Sequence, residues 1–325
     1  MSEFARLMGV GVIVLILTGG VALYATKAKN PLNIPLKTLG GKQVWSDVHH
    51  LAGWRIQRHV WTQRHRLLDH NNVRRAWGDV THCRAVLDGW QKRLDLQPRS
   101  DHLVILLHGI GRSTGTFSRL VGSLKQQGYE VANVSYASTR RPLEAHAETL
   151  SSLISDLRGI KTVSFVTHSM GGLVLRQLLS ERRDWQDRID IFRIVQIAPP
   201  NQGSSVARML KDVWPYQWFY GPAGQQLTPT AVQKLPPLAG EFGIIAGGTG
   251  NRYGLNPWIG GDNDGTVRVG ETDLPGARDT IRINAFHVII SNRPAAVRAV
   301  LNFLKRGVFS EPAPPYATTK SDRHA

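Results

Sequence analysis

KTVSFVTHSMGGLVLRQLLS, residues 161–180, is the stretch that decides the fold. Val163, Phe165 and Val166 make a short β-rich run that ends at Thr167. Ser169 follows on a tight corner, and Gly171 and Gly172 come next. From Leu173 the spacing turns helical, with Leu173, Val174, Gln177 and Leu178 at i, i+1, i+4 and i+5. Strand, sharp turn with a serine at its apex, then helix spells a nucleophile elbow. The glycines let strand and helix backbones approach closely, where a β-carbon would block them. The corner holds the Ser169 hydroxyl at the N-terminus of a helix, whose dipole favours negative charge. The usual pattern is G-x-S-x-G. Here it is Thr167-His168-Ser169-Met170-Gly171, with Thr in place of the first Gly. Taken alone, the segment also fits a Ser N-cap on an ordinary strand-to-helix turn.

The flanking chain supplies the context. His102–Leu107 is a continuous apolar run, the kind buried on both faces of a parallel sheet. It leads straight into His108-Gly109-Ile110-Gly111. An H-G-x-G loop after a first core strand offers a backbone N–H to a developing oxyanion. Ile110 is assigned that donor, and Met170, directly after Ser169, gives the second. A helix is expected over 117–127, a strand over 129–136, and a helix over 143–157. Strands follow at 191–198, 241–247 and 280–285, with a closing amphipathic helix at 294–305. Strands alternating with helices on this scale mean right-handed βαβ units. The fold class is α/β, a mostly parallel sheet with flanking helices. Residues 199–240 interrupt the pattern with Trp214, Tyr216, Trp218, Phe219 and Tyr220 among glycines and prolines. This cap-like insertion either covers the site and excludes water or packs on its own aromatics.

A serine hydroxyl is a weak nucleophile until a base takes its proton and an acid holds that base in one tautomer. Ser169, Asp264 and His287 occur in that order, each at the C-terminal end of an expected strand. The ligand crevice of an open parallel sheet lies there. Asp262 and Asp273 are alternatives for the acid, and His108 and His168 for the base. His168 adjoins Ser169 and cannot easily turn back to it.

On these motifs, residues 103–305 resemble the α/β-hydrolase superfamily, specifically its bacterial lipase/esterase-like members. The matching pieces are Leu-Leu-His-Gly-Ile-Gly, Thr-His-Ser-Met-Gly-Gly, Ala-Pro-Pro-Asn-Gln-Gly-Ser, Asn-Asp-Gly-Thr-Val and a His near the C-terminus. The resemblance implies hydrolysis of carboxylic esters through an acyl-serine intermediate, with the acid at Asp264 and the base at His287. It implies an ester or lipid substrate and no metal or organic cofactor. Acyltransferase, thioesterase or amidase chemistry would use the same triad. A non-catalytic lipid-binding module is a further alternative. The resemblance does not reach residues 1–100.

That N-terminal part is read from composition. The chain has 325 residues and a formal net charge of +16. Such an excess attracts anionic partners. No nucleic-acid motif is visible, and membrane association is the expectation. Residues 7–25 carry no charge and are mostly apolar, about long enough to cross a bilayer. Residues 1–28 are therefore expected to be a single-pass anchor or signal segment. Lysines 27, 29, 37 and 42 follow it, placing the catalytic bulk on the cytoplasmic side, with the periplasmic side as the alternative. Residues 29–98 read as a linker followed by a basic helical region rich in Trp, His and Arg. Trp54 and Trp61, seven apart, are expected on one helical face. The histidines at 49, 50, 59, 65 and 70 lack metal-ligand spacing. The hydrolase domain spans 99–308, and 309–325 is a disordered tail.

Overall fold

The computed structural model describes residues 35–310. The expected anchor at 1–28 and nearly all of the tail lie outside these residues. Among the described residues, no helix is long and apolar enough to cross a membrane.

The chain begins with five short strands and a helix. These are β1 (Leu36–Lys37), β2 (Trp45–Leu51), β3 (Trp54–His59), β4 (His65–Leu68), β5 (Val73–Gly78) and α1 (Val80–Leu94). The strands form one antiparallel sheet in the order β1-β5-β4-β3-β2. This corrects the helical reading of the region. Trp54 is buried and Trp61 is exposed, so the seven-residue spacing does not define a face. Period-two burial wins instead, with Trp45, Asp47, Trp54 and Ile56 turned inward. Ala52 and Gly53, both at positive φ, close the tight hairpin between β2 and β3. The arginine–tryptophan composition belongs to this sheet: the Arg66 guanidinium lies 4.1 Å over the Trp45 ring, and both are buried.

The remainder of the chain alternates as expected. It runs β6 (His102–Leu107), α2 (Ser118–Gln126), β7 (Glu130–Val134), α3 (Leu143–Ser155), β8 (Thr162–His168), α4 (Met170–Leu178) and β9 (Asp190–Ile197). The insertion holds α5 (Ser205–Leu210), α6 (Trp214–Gln225, broken at Gly221) and α7 (Pro229–Val232). β10 (Glu241–Gly247), β11 (Asp279–Ile283) and α8 (Pro294–Arg306) complete it. The six strands stand in the order β11-β10-β9-β8-β6-β7, and every neighbouring pair is parallel.

Alternation along β6 shows why both faces are covered. Leu103, Ile105 and Leu107 pack with α3 and α4, including Leu150, Ile154 and Leu173. Val104 and Leu106 pack with α2 and α8, including Leu120, Leu124 and Phe303. Each such side chain contributes about 1.5–3 kcal/mol on burial.

The first sheet docks on the β7–α3 side of the second. Asp47 N–H donates to Ser135 O, and Ser135 N–H donates to the Asp47 carboxylate, both at 2.8 Å. Glu130 accepts from Arg99 N–H at 2.9 Å and lies 3.3 Å from His50 Nε2. Asp156 takes the Arg84 guanidinium and, at 2.5 Å, His49 Nδ1. Burial alone would raise the Asp156 carboxyl, but hydrogen bonds from Arg84 and His49 outweigh it and hold it below 3.8. Burial likewise keeps His49 below its ordinary value, so His49 donates as a neutral ring and Arg84 carries the positive charge.

A depressed carboxyl stabilises the fold above the unfolded pKa and loses that stabilisation as pH falls through the folded one. Asp156→Ala is therefore expected to cost about 1–2 kcal/mol at neutral pH, discounted for the part-exposed Arg84. In thermal melts against pH, its Tm deficit should shrink as pH drops below about 3.8, the carboxyl's ordinary value.

Candidate active site

Ser169 leaves β8 at a sharp corner, with φ 54° and ψ −128°. L-residues rarely occupy that region, so the neighbours must hold it. Ser169 N–H donates to Ile197 O, and Gly172 N–H donates to Ser169 O, each at 2.9 Å. A Cβ on Gly171 would run into Leu107 O and stand 3.0 Å from His108 O. Helix α4 therefore passes directly over the end of β6. A Cβ on Gly109 would stand 2.9 Å from Ser169 Cβ. These two glycines seat the elbow against the 108–112 loop. Thr167, the departure from the usual pattern, lies in the extended β8, where no glycine conformation is needed.

Asp264 and His287 meet directly. His287 Nδ1–H donates to Asp264 Oδ2 at 2.6 Å, and His287 N–H donates to Asp264 O at 2.8 Å. Asp264 Oδ1 accepts from Thr266 and Val267 N–H at 3.0 and 2.8 Å. The alternative carboxylates are occupied elsewhere or exposed. Asp262 accepts from the Thr249 and Gly250 N–H groups, closing its own loop, and Asp273 is exposed.

The two other histidines are fixed by backbone carbonyls. His168 Nε2–H donates to His287 O at 2.9 Å, with the rings 4.7 Å apart. That bond sets the tautomer and leaves the buried Nδ1 without a partner. Burial, then the neighbouring His287, keeps His168 well below its ordinary value. His108 Nδ1–H donates to Gly109 O at 2.9 Å, and its ring stacks on Tyr136 at 4.3 Å. Burial pulls it down to about 4.

The structure thus joins Asp264 to His287 directly, and Ser169 to His287 only through the adjacent His168. No Ser169–His287 hydrogen bond is made among the described residues. In unliganded sites such bonds are often long and tighten with substrate. Neither the Ile110 nor the Met170 N–H has a hydrogen-bond partner among the described residues.

The sequence matches no family model and no curated protein. Solved structures do match. The mature lipase BlEst2 of Bacillus licheniformis gives a TM-score of 0.51 at 17% identity, over 63% of this chain and 91% of that one. The metagenomic carboxyl esterase MGS0156 gives 0.51 at 17%, over 63% of this chain and 76% of its own. The chain has the α/β-hydrolase fold. The resemblance read from residues 103–305 stands at that level.

In this α/β-hydrolase fold the insertion is tied to the elbow helix by a residue the sequence reading missed. Arg176, on α4, is buried. Its guanidinium donates to Asn201 O at 2.9 Å, Leu235 O at 2.6 Å and Pro236 O at 3.0 Å. One side chain therefore fixes both ends of the insertion. Its signal, an arginine inside an apolar helical face, was visible at Leu173–Leu178. Between those ends, Leu210, Val213, Phe219 and Tyr220 line a groove with Gly111 and Thr139. The aromatics are divided: Tyr216 is buried, whereas Trp214, Trp218 and Phe219 are largely exposed.

Replacing Arg176 by Met keeps the bulk and leaves three carbonyls without their donor. Stability should fall by about 1–3 kcal/mol. Limited proteolysis should then cut first within residues 199–240, at a rate the wild type does not show.

Proposed function

We propose that this chain is a serine hydrolase of carboxylic esters. The observation that carries the reading is the Asp264–His287 hydrogen bond beside a serine held at positive φ on a strand-to-helix corner. With Nδ1–H given to Asp264, His287 presents Nε2 as its unprotonated nitrogen. Nε2 takes the Ser169 proton as Oγ attacks the ester carbonyl. The carbonyl oxygen becomes an oxyanion, and the free Ile110 and Met170 N–H groups are its donors. Collapse expels the alcohol, which takes the proton from His287. Water then adds to the acyl-Ser169 ester, losing its proton to Nε2, which passes that proton to Ser169 Oγ as the acid leaves. His168, neutral, holds the His287 main chain through its carbonyl, and Asp264 holds the ring.

Two further observations support the substrate side. The structural neighbours named above are a lipase and a carboxyl esterase. The groove beside Gly111 is apolar, as the acyl part of an ester requires.

The test is a fluorophosphonate probe together with p-nitrophenyl esters of short and long acyl chain, offered to wild type, Ser169→Ala, His287→Ala and Asp264→Asn. Labelling should vanish in Ser169→Ala. Turnover should fall on the order of 10⁴-fold in Asp264→Asn, and at least as far in the other two. A folded wild type that neither labels nor turns over, with or without detergent, overturns the reading. Transfer of the acyl group to glycerol or an amine in preference to water would move it to an acyltransferase.

A further inference from the structure

We infer that Gln43, from the appended N-terminal sheet, is a positioning residue that sets the Ile110 N–H for the oxyanion; this rests on the ester-hydrolase reading. The loop concerned is a four-residue turn. Arg112 N–H closes it onto Gly109 O at 3.2 Å, and Gly111 at its third position has φ 66°. Two polar groups of the turn, Gly111 N–H and Arg112 O, face away from that closure. Gln43 satisfies both, one directly and one through Ser138.

Gln43 Nε2–H donates to Arg112 O at 2.6 Å and to Ser138 Oγ at 3.0 Å. Its Oε1 accepts from Ser138 Oγ–H at 3.1 Å, Thr139 Oγ1–H at 3.0 Å and Thr139 N–H at 3.2 Å. Ser138 Oγ in turn accepts from Gly111 N–H at 3.1 Å. The Ser138 hydroxyl then has its one proton and both lone pairs in use. With these groups taken, Ile110 N–H is left without a partner among the described residues, and its direction follows from the turn.

The backbone at Gln43 points the same way. Its φ is 47°, in the left-handed region that glutamine seldom enters. Such an outlier persists only where its surroundings over-determine it. The preceding Gly41 is packed between Gln57 and Ser135: a Cβ there would stand 2.7 Å from Gln57 Nε2 and 3.1 Å from Ser135 Oγ. The bend that delivers the amide is therefore built by the appended sheet. Thr139 also abuts the insertion, where a Cβ on Gly221 would run into Thr139 O. Gln43 thus holds the turn and one wall of the groove together.

The experiment compares full-length wild type, Gln43→Ala, the same-sized Gln43→Glu and, as a control for the stability of the sheet, Ile56→Val. Ile56 is buried in that sheet's own core. Hydrogen–deuterium exchange is read over residues 108–113, and kcat and KM on a p-nitrophenyl ester. Both Gln43 variants should exchange faster there and lose about 10–100-fold in kcat with KM held. Ile56→Val should keep the wild-type values. Unchanged exchange over 108–113 overturns the inference. So does faster exchange with wild-type kcat, or a kcat loss that Ile56→Val shares in proportion to its lower Tm. A wild type without esterase activity or probe labelling sinks the hydrolase reading, and the exchange comparison still decides whether Gln43 holds the turn.

Discussion

The contact between helix α4 and the end of strand β6 is the constraint on which the site depends. It exists because position 171 has no side chain and Leu107 O fills the space a Cβ would take. That approach bends the chain at Ser169 into a conformation costing on the order of 1–3 kcal/mol. The bend is held by hydrogen bonds to neighbouring backbone and by Met170, Leu173 and Val174, all buried in the core below. Because all six strands are parallel, their C-terminal ends open on one side. The loops carrying Gly109, Ser169, Asp264 and His287 meet there, the one with Asp264 spanning the whole connection from β10 to β11.

Around this corner, backbone carbonyls decide the chemistry of the histidines. His108 and His168 each give one N–H to a carbonyl and are buried neutral. His287 gives its N–H to a carboxylate instead, the arrangement that stabilises an imidazolium. Three rings lie close together in the fold, yet only one has an anion facing it. Asp264 is fixed as firmly as His287, since it accepts two backbone N–H groups as well as the imidazole.

The α/β core was legible because burial on both faces of a parallel sheet leaves uninterrupted apolar runs. His102–Leu107 and Glu241–Gly247 were read with the boundaries the structure shows. The remaining core strands and helices shifted by one or two residues, where the ladders fray. The acid was open among three aspartates in sequence, and only the loop geometry brings Asp264 to His287. The first 45 residues of the appended region were misread because its strands are short and its arginines and histidines are half-buried. They stack on tryptophans instead of alternating with a clean polar face. The turn residues Gly53 and Asn72 were the available signal, both at positive φ. Nothing local marks Gln43 as special, since its partners lie 69 to 96 residues away, whereas Arg176 shows only as an arginine within an apolar helix.

The docking of the appended sheet has a consequence for the order in which the molecule forms. Asp47 finds Ser135 across 88 residues, and His49 finds Asp156 across 107. During synthesis from the N-terminus, strands β2 to β5 leave the ribosome well before the surface they cover. Until then His49, His50 and Arg84 lack the carboxylates they meet in the folded chain. Contacts of such sequence separation close late and slow the folding of the whole. The docking of the sheet that comes first in the chain thus waits on the α/β core, the surface on which it settles.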